Sequence, residues 1–356
     1  MTTKLICTIG PSCEKIEVLE KLKNSGVNIF RINLSHASIE DVSKYYEISK
    51  KIGIDISIDT EGAQLRTKNF ENCPINFQKD AIIKMNLDNK ISEENNLNLT
   101  PKGIIKQLKF NDHIRLDFNG VIAKVIGINP DNIELRILHS GFVGHNKGAD
   151  CLGRNLEFDD FTAKDLAALE LSKKLGISRV FISFCQSSKS IAKVKKIIPN
   201  CWICCKIESR VSIHNLPEIA NAADAILIDR GDLSREISIL DIPFAQRGII
   251  KVAQKHETPC YVATNVLESL IDGVLPTRAE LNDIVSSLEM GCSGIVLAAE
   301  TAIGKKPVLC AEIIKELIHK FYLSNAGLLF CDIDRGEITD EDMIIWLNRY
   351  GTQENL

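Results

Sequence analysis

Short apolar runs, many of them β-branched, alternate along the chain with stretches whose apolar residues recur at helical spacing. The runs at 4–9, 27–34, 55–58, 179–184, 202–207, 225–228, 260–263 and 294–298 predict strands, eight in all. Helices are predicted at roughly 13–25, 38–52, 162–175, 187–198, 211–222, 241–256, 278–290 and 307–322, several opening on a capping residue such as Thr162 or Thr277. Strands of near-continuous apolar character, joined by helices, belong to a parallel sheet covered on both faces. Eight such units favour closure, so the expected fold is α/β, a (β/α)8 barrel.

One connection breaks the alternation. Between Thr60 and Thr162, short strand-like segments at 81–85, 113–116, 121–126 and 133–139 are separated by turn signals such as Asn119-Gly120 and Asn129-Pro130-Asp131-Asn132. A structureless loop of that length is rare inside a compact domain, so a small β domain is expected at 63–152, inserted after strand three and placed to act as a lid. The barrel then occupies 1–62 and 153–322. A tail at 323–356 is expected to hold one short helix at 339–350, capped by Thr339, as a packing helix or oligomer contact.

Composition narrows the class. The 356 residues are 45% hydrophobic and 25% charged, which supports a sizeable core and excludes a disordered chain. A net charge of −4 without a long basic run argues against nucleic acid or an anionic membrane surface as partner. No apolar stretch is long enough to span a bilayer, and the N-terminus enters a strand pattern at once, so neither membrane span nor signal peptide is expected. The twelve cysteines lie largely inside apolar runs, where a thiol behaves as a small hydrophobe. Cys201 and Cys204 have redox or zinc spacing, but on a strand residues three apart face opposite sides. The expected compartment is the reducing cytoplasm.

Chemistry concentrates where the strands end. The stretch 201–236 delivers Lys206 and Glu208 at the close of one apolar run, then Asp229, Arg230, Gly231 and Asp232 at the close of the next. Lys206 can neutralise a phosphoryl group in transfer, and Glu208 and Asp232 are hard oxygen ligands of the kind Mg²⁺ takes. The same stretch also reads as a pair of strand-end salt bridges. The other strand ends add Thr8 to Pro11, then Arg31, Asn33, Ser35 and His36, then Asp59, Thr60 and Arg66, then Ser183, Thr264 and Glu300. Alternation puts Arg31, Asn33 and Ser35 on one face, and Asn33, Ser35, Asp59 and Thr60 offer oxygens with a single negative charge, suited to a monovalent cation. A lone Asn or Ser is ordinarily a satisfied core group. Convergence of charged and polar residues from eight strand ends on one rim is harder to explain that way.

These motifs, in this order, resemble the pyruvate kinase family. The segments are Thr3 to Ser12, Arg31 to His36, Asp59 to Gly62 with Leu65-Arg66-Thr67, Gly141 to Gly144 with Lys147-Gly148, Lys206-Ile207-Glu208, Arg230 to Leu233, Ala263-Thr264 with Leu267-Glu268-Ser269, Pro276 to Glu280 and Glu300-Thr301-Ala302. The resemblance covers about 3–322. It implies transfer between phosphoenolpyruvate and ADP, giving pyruvate and ATP, with Mg²⁺ (or Mn²⁺) and K⁺. By the same resemblance Lys206 stabilises the phosphoryl group in flight, and Glu208 and Asp232 hold the divalent metal. Asn33, Ser35, Asp59 and Thr60 cage K⁺, and Arg31 and Arg66 contact phosphates. Thr264 sits beside the enolate carbon, the backbone of Gly231 and Asp232 holds the substrate carboxylate, and His36, Pro11 and Lys147 lie on the nucleotide side. A homo-oligomer through barrel helices, including the helix starting near Pro276, is a further expectation.

The sequence also departs from the family pattern. Glu61, Ala63 and Gln64 stand in a Lys-Gly-Pro-Glu segment, Asp229 replaces an Ala, Cys185 and Gln186 replace Ile and Arg, and Ala298-Ala299 replaces Ser-Gly, losing a hydroxyl that could relay a proton. The residues after 322 are too few for the family's C-terminal regulatory domain, so no sugar-phosphate response is expected. Three readings stay open: the family's own reaction, the same phosphate and metal apparatus with a different acceptor, and a catalytically silent nucleotide-binding relative.

Overall fold

A computed structural model of the chain describes residues 3–71, 73–88, 91–117, 120–154 and 156–325. The tail helix expected at 339–350 lies outside these residues. The chain divides into two compact units, one built from the segments up to Glu61 and from Phe161 onward, the other from Gly62–Asp160.

The first unit is a closed barrel of eight parallel strands: β1 (Lys4–Thr8), β2 (Ile29–Asn33), β3 (Asp55–Asp59), β4 (Arg179–Ile182), β5 (Trp202–Ile207), β6 (Ala225–Asp229), β7 (Cys260–Ala263) and β8 (Gly294–Leu297). Each strand pairs with its neighbours in sequence, and β8 returns to β1 with Lys4 opposite Gly294. Every strand except the last crosses to the next through at least one helix, β3 to β4 by way of the long excursion that carries the second unit. The strands are buried on both faces, which is why they read as apolar runs rather than as clean alternations. Their outward side chains, such as Phe30, Ile32, Ile203, Cys205, Ile226 and Ile228, join the helices in one large core. Their inward side chains, among them Ile6, Ile29, Phe181, Cys204, Leu227, Tyr261 and Val296, form a separate inner cluster.

Helix starts follow local chemistry. Ser38, Thr162 and Thr277 each cap a helix through a reciprocal box with Asp41, Asp165 and Glu280. The single helix expected at 211–222 is two, Arg210–His214 and Leu216–Ala222, because Pro217 in the first turn of the second has no N–H with which to continue the first. An unexpected short helix, Arg230–Glu236, starts directly at the end of β6. Gly10, just past β1, lies so close to Ala302 that a Cβ there would meet its carbonyl oxygen at 2.5 Å. That approach, with the Thr301 hydroxyl donating to the Thr8 carbonyl at 2.9 Å, ties β1 to the short helix Ala299–Ala302 after β8.

The second unit is all but entirely β. An eight-stranded sheet includes Ile82–Asn86, His113–Leu116, Val121–Ile128, Asn132–His139 and Gly148–Leu152, and a two-stranded ribbon pairs Ile75–Phe77 with Gly141–Val143. Alternation along Val121–Ile128 sends Val121, Ala123 and Val125 into a core of its own with Ile83, Met85, Leu135 and Ile137. This unit therefore has an apolar core of its own.

Candidate active site

Inward positions on the barrel strands change character from one end to the other. On β5, Cys204 is followed two residues later by Lys206, and on β6 Leu227 by Asp229. On β2, Ile29 is followed by Arg31, and on β3 Ser57 by Asp59. The inner surface is thus charged where the strands end and largely apolar in the layer beneath, as in barrels whose chemistry sits at the C-terminal rim.

Lys206 is at the centre of that rim and only 5% exposed. Its ammonium lies 2.7 Å from Glu208 Oε1, 3.2 Å from Asp229 Oδ2 and 3.6 Å from Asp59 Oδ2. It also donates to the Ser183 hydroxyl at 3.2 Å, and Ser183 in turn donates to Asp59 Oδ1 at 3.2 Å. Arg31 reaches Asp59 Oδ2 at 3.1 Å and donates through Nε and Nη2 to Thr8 Oγ1 at 3.0 and 2.7 Å. The Phe184 amide donates to Glu208 Oε2 at 2.6 Å, fixing that carboxylate from its far side.

Burial alone would strip Lys206 of its proton, but Asp59, Glu208 and Asp229 outweigh it and hold the ammonium well above the usual lysine range. Burial pushes Glu208 far above the usual carboxylate range; Lys206 pulls it down, while Asp232 and Asp229 push it up. Asp229 is raised by burial, yet Lys206 and Arg31 overcome this and leave it low. Asp232 is raised, by burial and then by Asp229, against the pull of Arg235 at 3.0 Å. Glu208, Asp229 and Asp232 each bring one carboxylate oxygen within 4.8 Å of the others. Asp229 Oδ1 is buried with no hydrogen-bond partner, as a ligand atom awaiting a cation would be.

A second feature sits at the end of β7. Thr264 and Asn265 have φ of 66° and 53°, and Phe184 after β4 has φ of 50°. For a β-branched residue such as Thr264 this conformation is strained by about 1–3 kcal/mol, and it persists only where the surroundings enforce it. Arg230 supplies the enforcement, donating to the Thr264 carbonyl through Nε at 3.1 Å and Nη2 at 2.7 Å, and anchoring itself on Asp283. The Thr264 hydroxyl accepts from the Gly231 amide at 2.9 Å and donates to the Ala263 carbonyl at 2.6 Å.

The residues expected at the site divide into groups. Lys206, Glu208, Asp59 and Arg31 form one buried cluster, with Asp232 beside it. Thr264 and Gly231 touch each other. Asn33, Ser35 and Thr60 lie at the paired ends of β2 and β3, where Asn33 Oδ1 accepts from the Ser35 amide at 2.9 Å and Thr60 Oγ1 accepts from the Ser183 amide at 2.9 Å. Pro11 and His36 are exposed on the loops after β1 and β2. Arg66 and Lys147 belong to the second unit, where Arg66 donates to the Asn146 carbonyl at 3.2 Å and the Lys147 amide donates to the Thr67 hydroxyl at 2.8 Å. Sequence reasoning collects Ser183 and Asp229 at the strand ends without giving either a role in the reaction, and passes over Asp283. The signal for the first two is the alternation itself, since Ser183 follows inward Phe181, and Asp229 follows inward Leu227.

Fold and site together define a parallel (β/α)8 barrel protein with a buried lysine–carboxylate centre at the closing ends of its strands. The family model described as pyruvate kinase, barrel domain, matches residues 1–311. The chain is 33% identical over 330 residues to a pyruvate kinase of Chlamydia pneumoniae, covering 89% of this chain and 68% of that protein. It is 31% identical over 330 residues to one of Chlamydia trachomatis serovar D, with the same 89% and 68% coverage. To one of Thermotoga maritima it is 30% identical over 329 residues, 89% of this chain and 70% of the relative. The chain belongs to the pyruvate kinase family. Among the described residues no helix is long and apolar enough to cross a membrane.

Proposed function

We propose that this protein transfers a phosphoryl group between phosphoenolpyruvate and ADP, yielding pyruvate and ATP. The observation that carries the reading is Lys206, an ammonium held charged inside the barrel among Glu208, Asp229 and Asp59 in a chain of this family. Phosphoryl transfer asks a protein for little covalent chemistry. It needs positioning and neutralisation of charge spread over the transferring oxygens.

Lys206 meets that charge without having to be reorganised, because its neighbours already fix it in place. Arg31, held by Thr8 and Asp59, presents a second cation to a phosphate. Thr264 adjoins the enolate carbon, with Gly231 and Asp232 at the substrate carboxylate. His36, Pro11, Arg66 and Lys147 are proposed to meet the nucleotide.

Glu208 and Asp232 would hold Mg²⁺ or Mn²⁺, and their carboxylate oxygens, within 4.8 Å of each other, fit such an ion. When bound, the divalent cation supplies Lewis-acid neutralisation of phosphoryl oxygens. Asn33, Ser35, Asp59 and Thr60 would hold K⁺. Their one carboxylate is already shared by Arg31 and Lys206, and such a weakly charged donor set suits a monovalent ion.

A phosphorus NMR time course on the full chain with phosphoenolpyruvate, ADP, Mg²⁺ and K⁺ tests the proposal, with Lys206→Met run alongside. ATP formed by the parent and absent with the variant is the expected result. A parent that binds phosphoenolpyruvate yet makes no ATP would move the reaction to another acceptor, and Ala298, which lacks a hydroxyl near the rim, is where that search would begin.

A further inference from the structure

Asp229 does not fit a purely structural role. It is 5% exposed, its Oδ2 is paired with Lys206, and its Oδ1 is buried with no hydrogen-bond partner. In the buried cluster two cations, Arg31 and Lys206, face three carboxylates, Asp59, Glu208 and Asp229. Asp232, at the edge of the cluster, is matched by Arg235. A buried carboxylate oxygen left without a hydrogen bond is costly, and a structure retains one where a counter-charge arrives. The place for that counter-charge is marked, because one Asp229 oxygen stands within 4.8 Å of oxygens of both Glu208 and Asp232.

We infer that Asp229 is a third protein carboxylate on the divalent cation, so that this chain binds the free ion more tightly than Glu208 and Asp232 alone would. The inference rests on the proposed metal site of Glu208 and Asp232 and deepens it. A site with one or two carboxylates leaves most of the coordination of Mg²⁺ or Mn²⁺ to water and substrate phosphates. A third carboxylate adds a ligand and a full charge, and ligand charge count is what raises affinity for the free ion. Asp229 is well placed for this because β6 is rigid: its backbone is paired with β5 on one side and β7 on the other, with Asp229 opposite Ala263.

The test is Mn²⁺ binding to the full chain, read by electron paramagnetic resonance of the free ion and by calorimetry, with no nucleotide or phosphoenolpyruvate. The parent is expected to bind one Mn²⁺, and Asp229→Ala and Asp229→Asn to bind it at least about tenfold more weakly. Circular dichroism and thermal unfolding of both variants establish that they are folded; Asp229→Asn preserves the side-chain volume. Glu208→Gln separates this inference from the one beneath it. If Glu208→Gln loses Mn²⁺ while Asp229→Ala binds as the parent does, the metal site stands and the role of Asp229 falls. If the parent takes up no Mn²⁺ without substrate, the inference is likewise overturned. If neither variant differs from a parent that does bind Mn²⁺, the assignment of the metal to this cluster falls with it.

Discussion

The two ends of the barrel interior are built from the same strands on the same alternation, yet they solve opposite problems. In the layer beneath the rim, Ile6, Ile29, Phe181, Cys204, Leu227 and Tyr261 fill the space with carbon and sulfur. Two residues along the same strands, Arg31, Lys206 and Asp229 fill it with charge at comparable burial. The apolar end needs nothing but shape complementarity. The charged end is stable only because each cation has carboxylates within about a hydrogen bond's reach, and because the apolar end beneath it keeps the strands from shifting. Low dielectric also strengthens what remains unbalanced there, so a substrate phosphate or a metal ion is met by fields that bulk water would have quenched. One end supplies stability and the other spends some of it on function.

Substitutions can pull the two ends apart. Lys206→Met should have the largest effect, lowering kcat by about a thousandfold or more, because the lost charge is needed chiefly while the phosphoryl group is in flight. Its circular dichroism should match the parent's; equal turnover in parent and variant would remove Lys206 from the mechanism. Phe181→Ala should do the reverse. Emptying a fully buried ring from the inner cluster should cost about 3 kcal/mol in urea unfolding, while the folded fraction retains most of its turnover. A Phe181 variant that is inactive yet fully stable would show that the two ends are not separable.

The apolar end was the legible one. All eight strands follow from continuous apolar runs, most within a residue or two of their observed bounds, because a parallel strand buried on both faces has no polar face to blur the signal. The second unit was legible as strands from turn residues and alternation, but its pairing order was not, since register depends on partners distant in sequence. At the charged end the sequence points to Lys206, Glu208, Asp232, Arg31 and Asp59 by motif. What it does not convey is that Lys206 is shared among three carboxylates, or that Ser183 bridges Lys206 to Asp59. Those contacts join strand ends that are adjacent only once the barrel has closed. The strain at Thr264 is invisible for a different reason: nothing in Ala263-Thr264-Asn265 announces a left-handed backbone, and Arg230, which enforces it, comes from the neighbouring strand end.

That strain offers a finer cut within the charged end. Thr264→Gly removes a hydroxyl that bonds Gly231 and Ala263, costing about 1 kcal/mol, but also relieves a backbone unfavourable to a β-branched residue by about 1–3 kcal/mol. Unfolding stability should therefore change by less than about 1 kcal/mol or rise, while kcat falls about a hundredfold if the hydroxyl serves the enolate carbon. A variant losing stability and turnover in proportion would reduce Thr264 to a structural residue.

The smallest effect should come from the outer ring, which lies outside this contrast altogether. Thr277 caps the helix Arg278–Glu289, accepting from the Glu280 amide at 3.2 Å while Glu280 accepts from the Thr277 amide at 2.7 Å and from the Ser269 hydroxyl at 2.6 Å. Thr277→Ala should cost about 1 kcal/mol and leave kcat alone. Burial acts to raise the Glu280 carboxyl, but the Ser269 and Thr277 bonds prevail and hold it below the usual glutamate value. The unfolded chain then binds the proton more readily than the folded one, so the contribution of Glu280 is complete above about pH 4.3 and is lost as the pH falls through its depressed folded value. In Thr277→Ala the carboxyl keeps only part of its bonding, so the gap between parent and variant should be widest near neutrality and narrow in acid. A gap that is the same at pH 7 and pH 3 would mean that the cap acts through its hydroxyl alone, with the carboxylate half of the box contributing nothing.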